Sequence, residues 1–154
     1  MKKLIRILIN IILVSILIFS GYKIYTKLAE YKKADTVYSD IREKSKDKDK
    51  TAELTAINPD YRFWLKVDNT NIDYPVVQSE DNDYYLTHDF NKDYLASGSI
   101  FMDYRNNFEE DKSTIVYGHH MRNKTMFGEL ANYKDENFFN GNNLINIEYK
   151  GKTY

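Results

Sequence analysis

A run of apolar residues close to the N-terminus constrains this chain more than any other feature of its sequence. Residues 4–24 contain few polar side chains, and residues 7–19 form an almost unbroken apolar centre. A helix of about 20 residues crosses the hydrocarbon core of a bilayer, so this run is long enough to span a membrane. A cleaved secretory signal is the alternative, but its cleavage site has an A-x-A-like pattern that residues 19–21 do not match. We therefore expect a transmembrane signal anchor over residues 1–25.

Charge is distributed unevenly along the chain. Residues 1–35 contain seven Lys or Arg and two acidic residues, a net charge of +5, whereas the remaining residues carry a net charge of −6. The basic residues at the very N-terminus predict a cytoplasmic N-terminus, which places the rest of a single-pass protein on the extracellular face of the cell membrane. The acidic remainder argues against nucleic-acid binding, because that function needs clustered Lys and Arg.

A helical pattern and a charged run follow the anchor. Apolar residues recur at spacings of three or four between Ile24 and Ile41, which is typical of an amphipathic helix. Residues 43–50 are mostly charged and contain no apolar side chain, so they predict a solvated helix end or a tether. We interpret residues 26–55 as a juxtamembrane helix and charged linker, and residues 56–154 as one domain.

The domain has the sequence pattern of a mainly β fold with short helices. Aromatic residues make up 15% of the chain and 14 of them are Tyr, which suits strands whose rings carry a polar tip. Strand-like segments at residues 63–67 and 72–77 flank a turn and predict a β-hairpin. Pro75 cannot donate a backbone hydrogen bond, and it indicates an edge strand or a bulge.

The second half of the domain adds further predicted elements. Buried strands at residues 99–102 and 114–117 are expected to be neighbours in the sheet, joined by an acidic loop. A last strand is predicted at residues 144–149, followed by a turn at 150–152. Capping residues and apolar spacing predict short helical turns at residues 79–86, 125–133 and 135–139.

His119 lies just beyond one of these strands, in the segment Tyr117-Gly118-His119-His120. An imidazole with an ordinary pKa of about 6.5 exchanges protons close to neutrality, so a histidine at a strand end is a candidate general acid or base. A metal site built from His88, His119 and His120 is a rival hypothesis. Adjacent residues on an extended strand point to opposite faces, so His119 and His120 are poorly placed to share one ion, and we expect no metal.

The domain contains five distinctive sequence blocks. They are FWL at 63–65, NIDYPVVQ at 71–78, DNDYYL at 81–86, GSIFMDYRN at 98–106, and YGHH at 117–120 with TMF at 125–127. These blocks resemble the class B sortases, which are membrane-anchored cysteine transpeptidases of Gram-positive bacteria. The blocks come in the family's order with similar spacing, and the resemblance extends from about residue 61 to the last residue. The resemblance implies a sortase-type β-barrel, of which this chain would be the N-terminal part.

The resemblance also implies an activity. In this family a cysteine thiolate attacks the threonine carbonyl of an Asn-Pro-x-Thr-type sorting signal, and the exported protein is then joined to an amine of the peptidoglycan. A histidine protonates the departing amine, and an arginine steadies the oxyanion. His119 matches the catalytic histidine, and Tyr117, Asn82 and Leu86 match residues that line the substrate groove. No cofactor is implied.

The chain departs from the family's pattern because its 154 residues contain no cysteine. The family's cysteine-bearing strand and its later arginine have no counterpart here, and Arg105 and Arg122 lie in other blocks. We therefore expect a truncated chain that is inactive by itself, with an incomplete barrel that is prone to aggregation. A non-catalytic, membrane-tethered envelope or peptide-binding module is the alternative function.

Each matched residue also has a purely structural interpretation. Tyr117 would be a core ring whose hydroxyl finds a partner, and Asn82 would cap the turn that follows it. His120 is expected to turn its ring outward, and His88 is expected to lie on the surface.

Overall fold

The computed structural model describes residues 2–45, 50–141 and 143–154. The chain divides into two compact units, Met1–Asp35 and Thr36–Tyr154. The predicted domain boundaries near residues 25 and 55 stay predictions. The centre of the predicted charged linker, residues 46–49, lies outside the described residues.

One long helix, α1 (Lys2–Lys44), contains the apolar run. By length and composition it can cross a membrane, and its apolar side chains between Leu4 and Leu28 are exposed. The predicted juxtamembrane helix is not a separate element, because α1 continues through its residues. Gly21 lies inside α1 and costs about 1 kcal/mol relative to Ala, which is too little to end a long helix that contains no proline. A second helix, α2 (Lys50–Ile57), precedes the first strand.

A mixed sheet of six strands forms the centre of the described part of the second unit. Its strands are β1 (Tyr61–Val67), β2 (Asp73–Val77), β3 (Ile100–Met102), β4 (Val116–Tyr117), β5 (Ile145–Tyr149) and β6 (Lys152–Thr153). Their order in the sheet is β4-β3-β2-β1-β5-β6. Neighbouring strands are antiparallel except for β2 and β3, which are parallel. Within the described residues, β4 and β6 are therefore the edge strands.

Most of the predicted strands are confirmed, including the hairpin of β1 and β2 and the pairing of β3 with β4. The prediction that Pro75 marks an edge strand or a bulge is wrong. Strand β2 lies between β1 and β3, and the irregularity in the β1–β2 ladder lies between Tyr61 and Phe63. The ladder from β2 to β3 begins only at Val76, after the proline, so that ladder does not need an N–H from Pro75.

Short helices connect the strands. A 3₁₀ helix at Tyr84–Leu86 confirms the turn predicted at residues 79–86. Helix α3 (Glu136–Phe139) begins after Asp135, whose carboxylate accepts a hydrogen bond of 2.9 Å from the Phe138 N–H. The helix predicted at 125–133 is instead a 3₁₀ helix that starts later, at Gly128–Lys134. Met126 has a positive φ of 51°, which a right-handed helix does not allow.

The hydrophobic core lies around the central strands and the segment between β2 and β3. The end of α1 and helix α2 each contribute to it, through Ile41 and Leu54. The six-stranded sheet, its short connecting helices and the apolar helix before them confirm the predicted fold class. Other fully buried side chains are Phe63, Ile72, Val76, Val77, Tyr85, Phe90, Ile100, Phe101 and Met102.

Candidate active site

The backbone at His119 is held by close packing after strand β4. A Cβ on Gly118 would lie 2.3 Å from Ile100 Cδ1 and 2.9 Å from Phe127 Cδ2, so any other residue here would require these two side chains to shift. The carbonyl of His119 accepts a hydrogen bond of 3.0 Å from the Phe127 N–H. The close approach and the hydrogen bond together fix where the histidine leaves the sheet.

The ring of His119 is half-buried and makes one hydrogen bond, 2.8 Å long, between its Nε2 and the carbonyl oxygen of Leu86. A carbonyl only accepts, so Nε2 carries the proton and donates it. Within the described residues, Nδ1 has no hydrogen-bond partner. In the neutral ring Nδ1 therefore has a free lone pair. Nδ1 is the atom that can exchange a proton with a bound reactant.

The carbonyl of Leu86 is placed by a capped 3₁₀ turn. Asp81 Oδ1 accepts hydrogen bonds from the N–H groups of Tyr84 (2.8 Å) and Asp83 (2.9 Å). These two bonds lower the pKa of the Asp81 carboxyl, because they stabilise its charged form. The N-cap residue of this turn is Asp83, and the side chain of Asn82 bonds Asp103 and Tyr104 instead, so the structural interpretation of Asn82 as the cap is wrong. The side chain of Leu86 is 37% exposed, on the surface beside the histidine.

Asn82 and Tyr117 are brought together by a carboxylate to which the sequence analysis gave no role, that of Asp103. Oδ2 of Asp103 accepts from Asn82 Nδ2 and from the Tyr117 hydroxyl, each at 3.0 Å. The carbonyl oxygen of the Asn82 side chain accepts from the Tyr104 N–H at 3.1 Å. Three separate segments of the chain are therefore tied at one buried carboxylate, which is 1% exposed as a residue.

Arg105 completes this network. Its Nε lies 2.9 Å from Asp103 Oδ1 and its Nη2 lies 2.8 Å from Oδ2, so the guanidinium binds the carboxylate with two parallel hydrogen bonds. The side-chain and backbone bonds from Arg105, followed by those from Asn82 and Tyr117, hold the pKa of Asp103 well below its usual range. The hydrogen bond that the Tyr117 hydroxyl donates to Asp103 in turn raises the pKa of Tyr117. Arg105 is thus engaged with Asp103.

The other two histidines lie in different environments. His120 is exposed, as expected, and its backbone pairs with Met126 in an isolated bridge. His88 is half-buried rather than a surface residue, because its ring stacks on Tyr84 at 4.1 Å and its Nδ1 lies 2.7 Å from the Tyr84 carbonyl oxygen. Among residues 2–45, 50–141 and 143–154, no three His, Cys, Asp or Glu side chains are placed to hold a metal ion.

An open polar cleft of about 490 Å³ adjoins the segment that carries Asn82 and Leu86. Neither of these residues lines the cleft, nor does His119 or Tyr117. We therefore define the candidate site by the hydrogen bonds among its residues and not by this cleft. The cleft is lined by Asp60, Arg62, Gln78, Ser79, Glu80, Asp81, Tyr84 and Lys92.

The structure brings the four sequence-predicted residues together as two pairs. His119 contacts Leu86, and Asn82 and Tyr117 share Asp103. Sequence reasoning quoted Asp103 within a matching block but assigned it no function. The one available signal was its spacing of two residues from Arg105, which suits a local ion pair but does not reveal the other partners.

Known proteins with similar sequences and structures are sortases. The sortase domain family matches residues 65–154. Sortase B of Listeria monocytogenes serovar 1/2a is 39% identical over 142 residues, which cover 84% of this chain and 58% of that protein.

Solved structures agree with the sequence comparison. A sortase B of Clostridium perfringens has a TM-score of 0.66 and 54% identity, covering 67% of this chain and 56% of that one. A Staphylococcus aureus sortase B–substrate complex has a TM-score of 0.74 and 32% identity, covering 81% and 62%. The chain thus spans between half and two thirds of the length of these relatives.

Proposed function

This chain belongs to the sortase family, with class B sortases as its relatives, and from that premise we propose that it carries the histidine and part of the substrate groove of a cysteine transpeptidase. The observation that carries the proposal is the hydrogen bond between His119 and Leu86. It orients a half-buried imidazole with one nitrogen free, next to a residue that matches the family's groove.

The proposed reaction is an acyl transfer in two steps. A thiolate attacks the threonine carbonyl of the sorting signal, and the amide C–N bond breaks as His119 gives a proton to the departing amine. A peptidoglycan amine then attacks the thioester, the C–S bond breaks and the thiolate leaves, and His119 accepts the proton that the amine loses. The Nε2–H bond to Leu86 holds the ring in place through both steps.

We propose an Asn-Pro-x-Thr-type sorting signal as the substrate. The S. aureus sortase B related to this chain has been solved as a substrate complex, which supports a peptide-binding groove in this fold. Asn82, Leu86 and Tyr117 are the residues of this chain proposed to line that groove. Asp103 fixes the side chains of Asn82 and Tyr117, so the groove is preorganised on this side.

We also propose that the chain is a single-pass membrane protein with a cytoplasmic N-terminus. The exposed apolar helix and the basic residues before it support this orientation. The sorting signal and the peptidoglycan amine would then be met on the extracellular face.

The 154 residues supply no thiol, so we propose that they have no transpeptidase activity by themselves. The test is cleavage of a fluorogenic Asn-Pro-x-Thr-type peptide by the purified chain, with His119→Ala as control. We expect no turnover above the control. Turnover that depends on His119 would show that a nucleophile other than cysteine operates.

The absence of cysteine also favours a second candidate function, a non-catalytic peptide-binding module. Fluorescence anisotropy of the same peptide, labelled to report binding and not cleavage, separates the two candidate functions. Tight binding by the chain alone would favour the module. Weak or no binding is expected of a partial groove in an enzyme.

A further inference from the structure

A buried tyrosine on helix α1 is hydrogen-bonded to the loop residues Gly98 and Ser99. Tyr38 is 3% exposed, and its ring packs edge-to-face on Tyr74 with centroids 5.2 Å apart. Its hydroxyl donates to the carbonyl oxygen of Gly98 at 2.8 Å and lies 3.1 Å from Ser99 Oγ. Burial raises the pKa of this hydroxyl, so it stays protonated and remains a donor at neutral pH.

Gly98 and Ser99 are in turn packed against the segment that holds His119. Gly98 has a φ of +56°, and a Cβ on it would lie 2.3 Å from the Tyr85 carbonyl oxygen and 2.6 Å from that of Leu86. The N–H of Ser99 donates to Tyr85 at 2.9 Å, and Ser99 Oγ donates to the His88 carbonyl at 2.8 Å. The Leu86 carbonyl oxygen therefore lies close to the backbone of Gly98 as well as to the imidazole of His119.

We propose that Tyr38 is a positioning residue for His119. Its hydroxyl holds Gly98 and Ser99, these two residues hold the segment around Leu86, and the Leu86 carbonyl holds the imidazole through Nε2–H. The C-terminal part of helix α1 thereby contributes to the active site. The functional meaning rests on the proposed catalytic role of His119, whereas the coupling itself is a property of the folded chain.

A structural role alone makes a different prediction from positioning. If Tyr38 only stabilised the fold, removing its hydroxyl would lower stability without changing His119 in the molecules that remain folded. If Tyr38 positions His119, removing the Tyr38 hydroxyl weakens the hydrogen bond from His119 Nε2–H to the Leu86 carbonyl even in a folded protein, because that carbonyl gains freedom to move. The exchange of the Nε2 proton with solvent reports this bond directly.

The experiment uses the full chain in detergent micelles with ¹⁵N-labelled histidine, and His119→Gln identifies the His119 signals. Tyr38→Phe removes the hydroxyl and keeps the ring on Tyr74. We expect the Nε2 proton of His119 to exchange about tenfold faster or more in Tyr38→Phe than in the unmodified chain. The matched control is Tyr133→Phe, since the buried Tyr133 hydroxyl has no partner within the described residues, and it leaves the exchange rate unchanged.

An exchange rate in Tyr38→Phe within about twofold of the unmodified chain would overturn the proposal. If Tyr38→Phe does not fold, Ser99→Ala decides the matter, because it removes the next hydrogen bond in the same series. Faster exchange in that variant supports the coupling, and unchanged exchange rejects it. The readout needs no turnover, so failure of the coupling is distinguishable from failure of the proposed transpeptidase function.

Discussion

Asp103 organises more of the candidate site than any residue singled out from the sequence. A buried carboxylate is costly unless it is fully hydrogen-bonded, and this one receives bonds from Arg105, Asn82 and Tyr117. Its partners lie 21 residues before it and 14 residues after it in the chain, in addition to the neighbour at two residues. Sequence spacing predicts only the local pair, because the other two contacts depend on how the strands pair.

At this scale we predict that Asp103→Asn weakens binding of a sorting-signal peptide about tenfold, as expected for loss of one hydrogen bond to a charged group. The amide keeps the shape of the side chain but removes the charge that holds Arg105. Peptide affinity is measured by fluorescence anisotropy in a fusion of these 154 residues to the C-terminal portion of a class B sortase, with the exposed Asp93→Asn as matched control. Equal losses in the two variants would contradict this role of Asp103.

The same carboxylate makes the stability of the chain depend on pH. Its pKa is lowered in the folded chain, so its stabilising contribution is complete well above the ordinary value of 3.8 and is lost as the pH falls through the folded-state pKa. The stability of the unmodified chain should therefore decrease more steeply below about pH 4 than that of Asp103→Asn. Denaturant midpoints measured between neutral and acidic pH check this difference, and parallel curves would contradict it.

At the scale of elements, local sequence patterns predicted the strands but not how distant strands pair. The β1–β2 hairpin followed from two strand-like segments and a turn, since both strands are close in sequence. The parallel pairing of β2 with β3 and the pairing of β1 with β5 join distant segments, and no local pattern encodes them. The prediction of an edge strand or bulge at Pro75 is wrong because strand β2 acquires a second neighbour, β3, from a distant part of the chain.

The contact between Gly98 and the 3₁₀ turn at Tyr84–Leu86 gives a prediction at this scale. A Cβ at Gly98 would clash with two backbone carbonyls and would also occupy a left-handed conformation, so Gly98→Ala strains the loop twice. We expect a loss of about 2 kcal/mol in the free energy of unfolding. Gly151→Ala is the matched control, since Gly151 has a φ of +74° but nothing within 4 Å of its Cβ position.

Chemical denaturation of the two variants tests this expectation. The control carries only the conformational strain and should lose about 1 kcal/mol. A loss in Gly98→Ala no larger than in Gly151→Ala would mean that the loop can move away from the added methyl group. The Leu86 carbonyl would then be less rigidly held than the packing indicates.

The whole molecule combines an apolar helix with an acidic folded unit. Its apolar run was readable from composition alone, because a membrane span is defined by length and hydrophobicity. The uninterrupted course of α1 to Lys44 could not be read in the same way. The sequence pattern changes from apolar to amphipathic and indicates two segments, but no helix-breaking residue separates them and the helix continues. At the start of β5, Leu144 and Ile145 are exposed, and the aggregation of the isolated chain stays a prediction.

We predict that Leu13→Arg impairs membrane insertion, because an arginine at the centre of the span costs about 2.5–3.5 kcal/mol on translocon-based scales. Resistance to alkaline carbonate extraction measures insertion. Leu28→Arg is the matched control, since Leu28 is similarly exposed on the same helix but lies beyond the apolar run. Equal extraction of both variants would contradict the assignment of the span.

The most direct test of the account fuses these 154 residues to a cysteine-bearing C-terminal portion of a class B sortase and measures cleavage of an Asn-Pro-x-Thr-type peptide. The account predicts cleavage by the fusion and a loss of about a hundredfold or more with His119→Ala, as expected for removal of a general acid. Equal rates with and without His119, or no cleavage by a folded fusion, would contradict the claim that this histidine serves a cysteine transpeptidase.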